Sequence, residues 1–138
     1  MASVTRARLL DKAAELAKKT GYVFISTADG SGRPHLAVAR SLEVSDESRV
    51  DVREWFCPGT MANLKDNPRV SVVVWEPAGD TGYQLTGEME RMTDTGVLDG
   101  YTAEMDDKWP VPQVESRLVV KVNKVTDFKR APHSDIEE

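Results

Sequence analysis

The sequence predicts a mainly β protein, six antiparallel strands in a closed or nearly closed barrel with flanking helices. Three observations carry this. Six segments are rich in β-branched and aromatic residues. Most are joined by short turn-forming stretches rather than long crossovers, which means antiparallel pairing. Six strands within 138 residues avoid exposed edges most simply by closing on themselves.

The elements follow in order. Residues 5–19 read as a helix, with Leu9, Ala13, Leu16 and Ala17 on one face at spacings of three and four. Lys18 and Lys19 suit the negative end of its dipole, and Gly21 suits its C-cap. Tyr22 to Thr27 is the first strand, and Asp29-Gly-Ser-Gly-Arg-Pro closes a hairpin. His35 to Val44 is the second strand, with Leu36, Val38 and Leu42 pointing one way. Asp46-Glu-Ser-Arg is a polar turn, and Val50 to Phe56 is the third strand. Cys57-Pro-Gly breaks that strand. A short helix then begins, with Thr60 as N-cap and Pro68 as its stop.

Arg69 to Trp75 is nearly continuously apolar, the pattern of a strand buried on both faces. Glu76 to Gly82 is a loop, and Tyr83 to Met92 alternates like a half-buried strand. Thr93 to Asp106 reads as a helix with Val97, Leu98, Tyr101 and Met105 on one side, although Gly96 and Gly100 disfavour it. Pro110 and Pro112 form a rigid connector, and Arg117 to Val125 is the last strand. The chain is one domain over 1–130, with a polar tail over 131–138 that is expected to fray.

Composition narrows the function classes. The longest stretch without a charge is Trp55 to Leu64, ten residues, far short of the roughly 20 that a membrane span needs. No signal peptide is expected at the N-terminus, so the reading is a cytoplasmic protein. Cys57 is the single cysteine, which excludes an internal disulfide or a cysteine-based zinc cluster. His35 and His133 are the only histidines, too few for a metal site without carboxylates. The net charge of −5 argues against a nucleic-acid surface. Charge is uneven: residues 1–20 carry five basic and two acidic side chains, whereas 76–107 carry nine acidic ones and Arg91.

The segment from Trp55 to Pro68 is the most informative. A strand ends, the chain turns through Pro58 and Gly59, and a helix starts at Thr60. A helix N-terminus offers free N–H groups and partial positive charge, which favour phosphate. A capped helix with no ligand fits the same residues. Arg40 is the second candidate, because a guanidinium among Ala37, Val38, Ala39 and Leu42 must find an anion or emerge at an edge. Cys57 reads as a small buried hydrophobe before it reads as a nucleophile. His35, after Pro34, reads as structural. Trp75, Trp109 and Tyr101 read as core or interface residues, and Trp109, in polar surroundings, suits a partner surface or a flat ligand.

Three segments together resemble the pyridoxamine 5′-phosphate oxidase-like superfamily, and its short single-domain FMN-binding members in particular. They are Gly21 to His35, Thr60 to Val70, and Gln84-Leu-Thr-Gly-Glu-Met-Glu. The resemblance implies a six-stranded antiparallel split β-barrel of Greek-key type, with N-terminal and inserted short helices. It also implies a homodimer with FMN at its interface and a small-molecule redox substrate. By position, Val38, Ala39, Arg40 and Ser41 would lie along the flavin ring. Phe56, Cys57, Thr60, Asn63 and Leu64 would hold the phosphate and ribityl chain, and Trp109 would reach the flavin of the other subunit.

The chain departs from that pattern at the phosphate. Family members commonly carry Lys or Arg there, whereas Pro58, Gly59 and Ala62 supply no charge. Arg40 or Arg53 would have to compensate. Ser45 stands where the larger vitamin B6 oxidases carry a basic residue, and their C-terminal Trp and Arg substrate motif does not follow Phe128. Oxidation of pyridoxamine phosphate is therefore not the expected reaction. Two other readings remain: a barrel for another flat ligand, such as a deazaflavin or haem, and a regulatory dimer whose acidic region recruits a basic partner.

Overall fold

In the computed structural model, residues 2–55, 57–97 and 114–137 are described. They form α1 (Ala2–Thr20), β1 (Val23–Ala28), β2 (Pro34–Ala39), β3 (Ser41–Val44) and β4 (Arg49–Trp55). These are followed by α2 (Pro58–Asp66), β5 (Arg69–Glu76), β6 (Thr81–Val97) and β7 (Val114–Asp127). The strands make one antiparallel sheet in the order β2-β1-β5-β6-β7-β4-β3. Its two outermost strands, β2 and β3, are separated in sequence by Arg40 alone. The sheet must therefore curl until its ends meet at that residue. The result is a split barrel, mainly β as expected, closed by the chain itself rather than by a ladder.

Local chemistry explains the joints. Gly21 takes a positive φ of 87° and donates its N–H to the Ala17 carbonyl at 2.8 Å, which ends α1. In the β1–β2 turn, Asp29 Oδ1 accepts the N–H groups of Ser31 and Arg33 at 2.9 and 3.0 Å, while Gly32 supplies a φ of 89°. The turn sets the register that places Phe24 beside Val38 and Ile25 beside Ala37. Inward residues of every strand fill the barrel, among them Ile25, Leu42, Val50, Val52, Leu85 and Leu118. α1 covers the barrel with Leu10, Ala13 and Ala17, all buried.

The structure corrects the sequence reading at four places. The second strand is broken at Arg40, so there are seven strands rather than six. Leu10, with Ala13 and Ala17, forms the buried stripe of α1, and Leu9 and Leu16 flank it. Thr93 to Val97 extends β6 instead of starting a helix, and Val97 pairs with Val114. There the ladder to β7 outweighs the apolar spacing, and Gly96 removes helix propensity. Leu98 to Asp106, Pro110 and Pro112 lie outside the described residues. β5 is not buried on both faces: Val70, Val72 and Val74 are buried, but Ser71, Val73 and Trp75 are half-exposed. In the polar tail, Glu137 accepts the Val125 N–H at 2.7 Å.

Candidate functional site

Two features flank the β1–β2 hairpin: the head of α2, which packs against it, and an apolar face on the outer side of the sheet. α2 starts because Pro58, at its first position, carries no N–H to lose and has the right φ. Its N-cap is Cys57, in extended conformation, and no side chain caps the helix. Thr60 is therefore not the cap that the sequence suggested. It lies inside the first turn, fully buried, on the same face as the buried Leu64. Among the described residues its Oγ1 has no hydrogen-bond partner. A buried hydroxyl without a partner costs ~1–3 kcal/mol. The helix is held to the sheet by Asn63, whose Nδ2 donates to Thr27 Oγ1 at 3.1 Å.

The other predicted residues are spread around this junction. Val38 is 52% exposed on the outer face of β2, next to Leu36 at 67%. Ala39 turns its side chain into the core, so only its backbone remains at the edge of β2. Arg40 is exposed at the bend, and Ser41, half-buried, opens β3 opposite Arg53. Cys57 is half-buried at the head of α2. Leu64 is packed in the core. Phe56 and Trp109 lie outside the described residues. Thus Cys57 and Thr60 share one turn, and Val38 to Ser41 form a strip along the edge of the sheet. Arg53, the proposed compensating charge, has acidic neighbours: its Nη2 lies 3.8 Å from Asp51 and its Nε 4.0 Å from Glu43, and among the described residues that buried Nε has no hydrogen-bond partner.

The sequence reading missed the apolar face itself. Phe24, Leu36, Val73, Trp75 and Phe128 line an open cavity of about 550 Å³ together with Ser26, Ser71 and Gln84. Gln84 Nε2 donates to Ser71 Oγ at 3.2 Å, and Ser71 Oγ in turn lies 3.1 Å from Thr86 Oγ1. Trp75 packs edge-on against Phe128, with centroids 6.3 Å apart. Its indole N–H donates to Asp80 Oδ1 at 3.0 Å. Asp80 also accepts the backbone N–H groups of Arg130 and Ala131, and these hydrogen bonds hold its carboxyl down to about 2. The signal was the alternation of Ser71, Val73 and Trp75, which becomes visible only once β1 and β6 are known to flank β5.

A sequence profile of the pyridoxamine 5′-phosphate oxidase family matches residues 9–129. The chain belongs to that family. An uncharacterized protein of Methanocaldococcus jannaschii is 29% identical over 114 residues, covering 80% of this chain and 74% of that one. Among solved structures, an FMN-binding protein from Syntrophomonas wolfei is 22% identical, with a TM-score of 0.65 over 94% of this chain and 92% of the other. An F420 reductase is 17% identical, with a TM-score of 0.53 over 81% and 94%. At these identities the structural likenesses establish the fold. Within the family's barrel, the head of α2 and the β2 edge form the candidate site of this chain. Among the described residues, no helix is long and apolar enough to cross a membrane.

Proposed function

We propose that this chain binds FMN between two copies of itself and acts as a flavin-dependent oxidoreductase on a small-molecule redox substrate. One observation carries the reading: the first turn of α2 is uncapped and holds a buried Thr60 hydroxyl with no partner. Such a turn suits a phosphate, which would accept from its N–H groups and from Thr60 Oγ1. The exposed apolar strip of Leu36 and Val38 suits one side of a flat ring, and the cavity beside it suits a covering second copy. Arg40 stands at the end of that strip, where a charge-assisted hydrogen bond to the flavin is within the chemistry of a guanidinium. Bound FMN would supply the electron-carrying chemistry. The protein would orient the ring and exclude water from one face. Membership in the family and the FMN-binding protein from Syntrophomonas wolfei support this reading.

The test is the visible absorption spectrum of the purified protein, before and after incubation with FMN and desalting. Retained flavin bands are expected. A folded protein that keeps no flavin would overturn the reading. It would favour a second one, a deazaflavin ligand, which the uncharged Pro58, Gly59 and Ala62 and the likeness to an F420 reductase support.

A further inference from the structure

We infer that His35 completes the anion site at the head of α2, as the side-chain donor that Pro58, Gly59 and Ala62 do not provide. This rests on the FMN-phosphate reading above. His35 is the second residue of β2, on the same side of the strand as the inward Ala37 and Ala39. A Cβ placed on Gly59 would stand 3.4 Å from His35 Nε2 and 3.5 Å from Cε1. The imidazole therefore lies directly across the first turn of α2. Because residue 59 is glycine, no side chain stands between the ring and that turn.

Three kinds of donor converge there. The first turn presents backbone N–H groups that no side chain caps. Thr60, inside the same turn, holds a buried Oγ1 that has no hydrogen-bond partner among the described residues. The exposed ring of His35 adds an N–H in either neutral tautomer, and two when protonated. Backbone and hydroxyl donors alone leave phosphate oxygens that can accept further hydrogen bonds, and the imidazole N–H adds a donor for them. His35 thereby favours a phosphorylated flavin over an unphosphorylated one.

The experiment titrates FMN and riboflavin into the wild-type protein and into H35A, following flavin fluorescence. In H35A the FMN dissociation constant is expected to rise roughly tenfold or more, with that of riboflavin unchanged. If H35A does not fold, H35L is read in its place. An unchanged FMN constant, or equal weakening of both flavins, overturns the role of His35 and leaves the FMN reading standing. If the wild type binds neither flavin, the FMN reading falls, and inorganic phosphate decides the site. Phosphate-dependent NMR shifts at the Gly59 and Thr60 amides that disappear in H35A would uphold the role of His35. No shift in the wild type would overturn it.

Discussion

Arg6 and Glu137, 131 positions apart, join the two ends of the chain: Arg6 Nε donates to Glu137 Oε2 at 3.2 Å, and Nη2 donates to Oε1 at 2.8 Å. The same carboxylate accepts the N–H of Val125, beyond Lys121, the last residue of β7 that pairs with β4 in that direction. One side chain thus secures the tail and satisfies an edge amide.

Replacing Glu137 with Gln should cost about 1 kcal/mol or less at neutral pH, because the pair is partly exposed to solvent. Arg6 holds the Glu137 carboxyl below its usual value of 4.5. A lowered pKa in the fold contributes stability that is complete above the unfolded value and fades as pH falls below it. The gap between wild type and E137Q in urea unfolding should therefore close in acid. Amide exchange at Val125 should quicken in the variant; unchanged exchange would show that the tail is not held this way.

Asp80 anchors the segment after β7 through Arg130 and Ala131 while it receives the Trp75 indole. Its carboxyl is held at about 2, chiefly by the Arg130 N–H. The anchoring should persist through the ordinary carboxylate range and be lost only as pH approaches that value. Trp75 emission and the Arg130 and Ala131 amide shifts report it directly. A titration midpoint near 3.8 would contradict the arrangement. D80N should speed exchange at both amides at neutral pH.

Thr60→Val separates ligand binding from stability. Valine keeps the shape of the side chain and removes a buried oxygen that has no partner. The ligand-free protein should be as stable as wild type, or more stable by about 1 kcal/mol. Its FMN affinity should fall about tenfold if the hydroxyl binds the phosphate. Thermal unfolding and flavin titration measure the two effects. A clear loss of apo stability would mean that the hydroxyl has an internal role.

Leu36→Asp tests the apolar face. The residue is 67% exposed, so a lone chain should tolerate the charge with little change in stability. A dimer that buries this face should not tolerate it, because the carboxylate would be desolvated without a partner. Light scattering should show a dimer in the wild type and a monomer in L36D, with flavin retention lost as well. A dimer of unchanged affinity would place the interface elsewhere.

Gly87→Ala addresses the sheet. A Cβ at this position collides with the Lys121 carbonyl across a register shift between β6 and β7. The atoms it meets are all backbone of β7, which leaves little room to yield. The cost should be at least ~1–3 kcal/mol, readable as a lower urea midpoint. A variant as stable as wild type would mean that the bulge rearranges.

The sequence by itself determined the β class, the antiparallel connections and the short helix after the third strand. These follow from local rules: β-branched runs, Asp29 and Gly32 in a turn, Pro58 and Gly59 breaking a strand and Pro68 ending a helix. It also singled out the turn around Thr60 as a phosphate candidate. Only the tertiary structure decided that Arg40 is a corner, because a corner is needed only where a curled sheet brings its two ends together. It decided that Thr93 to Val97 is strand, since ladder partners on β7 are invisible to local propensity. It decided that β5 has an exposed face, because burial of Ser71, Val73 and Trp75 depends on what stands opposite them. And it brought His35 across Gly59, 24 positions apart, because α2 packs over the hairpin of β1 and β2 and lays a strand residue on the end of a helix.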